Sequence, residues 1–87
     1  VSDSEALEGV KYMANSEAVF TEPASGAAMY GIKTLLAEKV IAPEDSVVCV
    51  VTSFGLKDMA AARAITKTPP LIHASTEEVD RVLLSWN

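Results

Sequence analysis

Apolar positions recur at helical spacing in residues 2–15, where Ala6, Leu7, Val10, Met13 and Ala14 form one stripe on an otherwise polar segment. The spacing predicts a surface helix. Its start is marked by Ser2 and Glu5 at capping-box separation, with Asp3 and Glu5 placing negative charge at the positive end of the helix dipole. Asn15 and Ser16 supply stop signals. A second helix is predicted from Pro23 to about Glu38, because proline at a first helical position gives up no needed hydrogen bond and presets its own backbone angle. Its expected buried stripe is Ala24, Ala27, Ala28, Gly31, Ile32, Leu35 and Leu36. Gly26 and Gly31 each cost about 1 kcal/mol against alanine in a helix interior, which implies close approach of another element or a ligand to the backbone. The plainer alternative is a helix whose tertiary packing tolerates glycine.

After a surface turn at Ile41-Ala42-Pro43-Glu44-Asp45 the pattern changes. Val47, Val48, Cys49, Val50 and Val51 follow one another without alternation, the habit of a strand covered on both faces in a parallel sheet flanked by helices. Residues 46–52 are therefore predicted as a central strand. The loop that follows, Thr52-Ser53-Phe54-Gly55, occupies the place where α/β folds bind ligands, the carboxyl end of a parallel strand. A short helix is expected within residues 56–66, and Pro69-Pro70 then forces extended geometry that continues through residues 71–74. A last helix starts at Ser75, again with a glutamate (Glu78) at capping-box spacing, and is expected to bury Val79, Val82, Leu83 and Trp86.

The expected fold class is thus α/β, with helices packed on a partial, mainly parallel sheet. One convincing strand cannot complete such a sheet, since each buried backbone group left without a partner costs about 1 to 3 kcal/mol. Val1 and residues 71–73 are the only further strand candidates. With 87 residues, residues 1–87 read as a single unit, the C-terminal part of a larger catalytic domain; the start at Val1, without methionine and directly before a capped helix, favours a fragment. The partners expected on this reading are the remainder of a parent enzyme, together with self-association through unpaired strand edges. A rival reading is a stand-alone interaction module whose sheet is completed by another copy.

Charge narrows the partners further. A net charge of -5 has the wrong sign for nucleic acid or an anionic membrane, and no apolar run approaches a membrane span. A single cysteine excludes an internal disulfide and fits a cytoplasmic setting. No Ser-His-Asp set or carboxylate pair emerges from spacing, so no catalytic residue is assigned. His73 has no cysteine or second histidine at ligand spacing and is read as exposed or packed, with no metal site. Cys49 is read as a small, inert core residue of the strand.

Two motifs carry chemistry. Thr21-Glu22-Pro23-Ala24-Ser25-Gly26-Ala27-Ala28, followed about two dozen residues later by Val50-Val51-Thr52-Ser53-Phe54-Gly55-Leu56-Lys57-Asp58, resembles the C-terminal part of the threonine synthase family, fold-type II enzymes dependent on pyridoxal phosphate. The usual family forms are an EPASAA helix start and a TGHGLKD loop. The opening VSDSEAL also resembles the strand end and helix start that precede them. The resemblance implies that these residues belong to the large domain of such an enzyme. It implies that Thr52 is the hydroxyl partner of the cofactor's pyridine nitrogen, and that Glu22 sits near the ring at a helix start. A neutral hydroxyl there leaves the nitrogen largely unprotonated and moderates the electron sink.

Ser53 and Phe54 stand where the family loop commonly has glycine and histidine, so a contribution of that histidine does not carry over. Gly55, Leu56, Lys57 and Asp58 match the pattern and are given loop-shaping roles only. The lysine that anchors the cofactor and the glycine-rich phosphate loop lie upstream in the family, and neither is visible here; Lys57 only echoes the anchoring motif, with two extra residues before it. The chain alone is therefore expected to be inactive and to bind no pyridoxal phosphate. The nearest rivals in this class are threonine or serine dehydratases, which usually carry a serine-glycine-glycine run after the strand, and a cysteate-forming synthase.

Overall fold

The structure is a computed structural model that describes residues 1–86. Its first element, α1 (Asp3–Glu17), begins as the sequence pattern requires: the Ser2 hydroxyl accepts the Glu5 amide, and the Glu5 carboxylate accepts the Ser2 amide at 2.7 Å. It ends at Ala18, whose left-handed backbone (φ 56°) lets its amide cap the carbonyl of Met13. Ala6, Val10 and Met13 of the predicted stripe are buried, while Leu7 and Ala14 are half-buried.

The second helix, α2 (Pro23–Ala37), starts at the predicted proline. Its buried face differs from the expected stripe. Ser25 and Gly26 are buried, whereas Ala24, Ala28, Leu35 and Leu36 are exposed and Ala27, Gly31 and Ile32 are half-buried. The reason is the crossing with α1, where Gly9 meets Gly26 backbone to backbone. A Cβ on Gly9 would fall on the Gly26 carbonyl, and one on Gly26 would fall on the Ala6 carbonyl and the Val10 side chain. The close approach inferred for Gly26 is therefore real, and Gly31 faces open space.

The expected α/β fold is not what forms. Among the described residues there are four α-helices and no strand. Residues 46–51 carry no regular structure, and among the described residues none of their backbone groups pairs with another segment. The physical cause is the one raised by the sequence itself: a strand exists only where a neighbour about 4.8 Å away takes its N–H and C=O groups, and residues 71–73 do not approach to do so. The valines consequently lie open, Val48 at 90% and Val50 at 70% of full exposure. Cys49, expected in a core, is only half-buried.

A single 3-10 turn (Gly55–Lys57) leads into α3 (Met59–Ile65), which begins where the Asp58 carboxylate accepts the Ala61 amide at 2.9 Å. The last helix, α4 (Thr76–Ser85), starts with the predicted Ser75 cap on the Glu78 amide at 3.2 Å. It buries none of its residues. Val79, Leu83 and Trp86, expected in a core, are 42%, 65% and 41% exposed, and Val82 is half-buried. The core is accordingly small, centred on the α1–α2 crossing with Ala62 of α3 added, in a molecule 52 Å long and 26 × 18 Å across.

Candidate functional site

Both sequence motifs converge at the start of α2. Thr21 and Ser25 are one helical turn apart, so their hydroxyls point the same way, and both are buried to within 2%. The Ser25 Oγ accepts the Thr52 amide at 2.9 Å and donates to the Thr52 carbonyl at 3.1 Å. Thr21 Oγ1 donates to the same carbonyl at 3.5 Å. One residue of the loop is thus held through both of its backbone polar groups by two buried hydroxyls. This fixes Thr52 although Thr52 itself is exposed.

The side chain of Thr52 is held as well. Its hydroxyl donates to Glu22 Oε1 at 2.9 Å and lies 3.3 Å from Ser25 Oγ. Glu22 occupies the N-cap position of α2 but makes no capping bond with its side chain. Its carboxylate instead takes Thr52 on one oxygen and the Lys57 ammonium, 3.3 Å away, on the other. The positive end of the α2 dipole adds to the attraction for that carboxylate. Lys57 is 63% exposed at its side chain, so the ion pair is solvent-screened and orients more than it stabilises.

The far end of the loop is tied to the residue before the motif. The Gly55 amide donates to the Phe20 carbonyl at 3.0 Å, and Gly55 packs against the Phe20 ring so closely that a side chain would overlap it. Between the two anchors Ser53 adopts φ 55°, the left-handed region that favours glycine. This is the position at which the resembled loop carries glycine.

The structure thus brings Thr52 and Glu22 into direct contact and joins to them four residues that the sequence reading left without a site role: Thr21, Ser25, Phe20 and Lys57. The available signal was the i, i+4 spacing of Thr21 and Ser25 inside a single motif. His73 is exposed, and among the described residues no group of three or more His, Cys, Asp or Glu side chains comes together. No helix is long and apolar enough to cross a membrane, among the described residues. Chemically, the arrangement offers an oriented, solvent-facing hydroxyl with a carboxylate beside it, suited to holding a polar atom of a small ligand.

No protein-family model matches the chain. Individual proteins do. The chain is similar to the threonine synthase of Methanocaldococcus jannaschii, 37% identical over 83 residues that cover 95% of this chain and 20% of that protein. It is also similar to the threonine synthase of Halalkalibacterium halodurans, 36% identical over 78 residues, covering 90% of this chain and 22% of the relative. Over 59 residues it is 48% identical to the threonine synthase of a Synechocystis strain, with 67% and 15% covered. The chain spans about a fifth of the length of the first two relatives.

Proposed function

Since this chain belongs to the threonine synthase family, as a segment homologous to about a fifth of its relatives, we propose that it forms one wall of a pyridoxal phosphate site. The whole protein would act there on O-phosphohomoserine, yielding threonine and phosphate. The observation that carries the reading is the locking of Thr52 by Ser25 and Glu22, which unites the two motifs whose resemblance pointed to the family.

The residues present fit one edge of the cofactor. Thr52 would face the ring nitrogen, and Glu22 would stand beside the ring at the start of α2. When bound, pyridoxal phosphate supplies the electron sink for chemistry at the amino-acid carbons. The part of this chain is to hold the ring: Ser25 and Thr21 fix the Thr52 backbone, while Lys57 keeps the Glu22 carboxylate turned toward the loop. The chain carries no glycine-rich phosphate loop and no lysine in the anchoring motif, so we assign both to the rest of the parent protein and hold the segment inactive alone. The open valines of residues 47–51 support a role for that remainder as the partner that completes their pairing. We place the parent protein in the cytoplasm.

The test is segment exchange. The 83 matching residues of the M. jannaschii enzyme are replaced by this chain, and phosphate release from O-phosphohomoserine is followed together with the cofactor's absorption spectrum. Release that survives the exchange and collapses with Thr52→Ala, with a shifted spectrum, supports the assignment. A cofactor-loaded exchanged enzyme whose rate and spectrum ignore Thr52→Ala overturns it.

A further inference from the structure

Two surfaces of this chain have no cover in the structure, and they match each other. The first is a groove of about 670 Å³ between the second half of α1 and the second half of α2, lined by the apolar parts of Tyr12, Ile32 and Leu36. Lys11 stands on its α1 wall and Lys33 on its α2 wall, with Glu8 as an acid at the rim. The second is the apolar face of α4. At 100° per residue, Val79, Val82, Leu83 and Trp86 fall on one side of that helix, flanked by Glu78 on one margin and Asp80 on the other. An apolar ridge between two acids complements an apolar groove between two lysines.

The connection decides whose α4 enters. The ten residues 66–75 between α3 and α4 include Pro69-Pro70, which stiffens the connection and resists folding back. The chain's own α4 buries nothing and lines no part of the groove. A stiff hinge before an unburied amphipathic helix is the arrangement from which identical chains exchange elements. We propose that this chain forms a closed dimer in which α4 of each copy lies in the α1–α2 groove of the other. The ion pairs are Lys11 and Lys33 with Glu78 and Asp80, and the exchange buries the two valines, Leu83 and Trp86. The proposal does not depend on the synthase reading, because the surfaces lie away from Thr52 and its neighbours.

Sedimentation velocity of the full chain over a hundredfold concentration range tests it. A dimer is expected, weakened about tenfold by the double reversal Lys11→Glu/Lys33→Glu and restored when Glu78→Lys/Asp80→Lys is added in the same chain. Circular dichroism checks that each variant keeps its helix content, and Val48→Lys/Val50→Lys, which loads charge onto the other uncovered segment, should leave the dimer intact. A monomer at every concentration, including one whose own α4 folds back, overturns the proposal. So does association that ignores the charge reversal, or that disappears with Val48→Lys/Val50→Lys.

Discussion

The hydroxyl of Thr52 donates to Glu22 across 2.9 Å, although thirty positions separate the two residues along the chain. That contact exists because Ser25, one turn into α2, grips Thr52 by its amide and carbonyl and leaves its side chain only a short arc in which to turn. The helix start and the loop therefore behave as one rigid piece, in which a buried serine positions an exposed threonine.

Removing that grip should be felt as stability. Ser25→Ala leaves the Thr52 amide without its acceptor and the carbonyl without its shorter bond, a loss of about 1 to 3 kcal/mol for a partly buried pair. Urea unfolding followed by circular dichroism measures it. A midpoint unchanged by the substitution means that water replaces the serine and that the loop is not held through Ser25.

The glycines of the helix pair separate cleanly. Gly9→Ala and Gly26→Ala each drive a methyl into opposing backbone, which cannot move aside without parting α1 from α2; the loss is expected at about 3 kcal/mol or more. Gly31→Ala meets nothing within 4 Å and replaces a poor helix former by the best one, a gain of up to about 1 kcal/mol. The three variants unfolded side by side give opposite signs, and equal effects would mean that the crossing is not where the structure has it.

These contrasts also mark what was legible in the sequence. Helix starts were readable because caps are local: Ser2 with Glu5, Pro23, and Ser75 with Glu78 each act within one turn. The union of the two motifs was readable only through resemblance, since no local rule joins Thr52 to Glu22. The sheet and the buried side of α2 were misread for a common reason. Apolar runs such as residues 47–51 record a need for burial, but whether that need is met depends on elements outside the run, and this chain has none to offer. Helix α4 repeats the case: its periodicity is sound and its expected core is absent.

Ser53 offers a sharper check on the loop. Its φ of 55° costs about 1 to 2 kcal/mol for a residue with a side chain, against roughly 0.4 to 1 kcal/mol that glycine loses through the freedom of its unfolded state. Ser53→Gly should therefore stabilise the chain slightly, and Ser53→Val, β-branched and intolerant of this region, should destabilise it. Thermal melts of the two variants rank them, with the reverse order contradicting the left-handed backbone at this position.

The first turn of α1 carries a pH dependence. Hydrogen bonds from the Ser2 amide, first, and the Ser2 hydroxyl, second, hold the Glu5 carboxyl below the ordinary glutamate range, with the nearby N-terminal charge adding to them. The folded chain thus binds this proton less tightly than the unfolded chain. The contribution is complete above the unfolded value of roughly 4.3 and is lost as pH falls through the lower folded value. Amide exchange in the first turn should accelerate over that window, and Glu5→Gln should remove the dependence while keeping the helix.

The uncovered valines give the most direct check on the fold. In a paired strand the amides of residues 47–51 would be protected by bonds to neighbours, whereas here they have none among the described residues. Hydrogen exchange of the isolated chain should therefore show these amides exchanging near the rate of an unstructured peptide. The Thr52 amide, bonded to a buried serine, and the Gly55 amide, bonded to Phe20, should be slower. Within the segment-exchanged synthase the same valine amides should become protected, because a both-faces apolar run gains there the edges and cover that it lacks alone. Protection already present in the isolated chain at low concentration would show that these residues find their partners within this polypeptide, and the all-helical description would then fail at that segment.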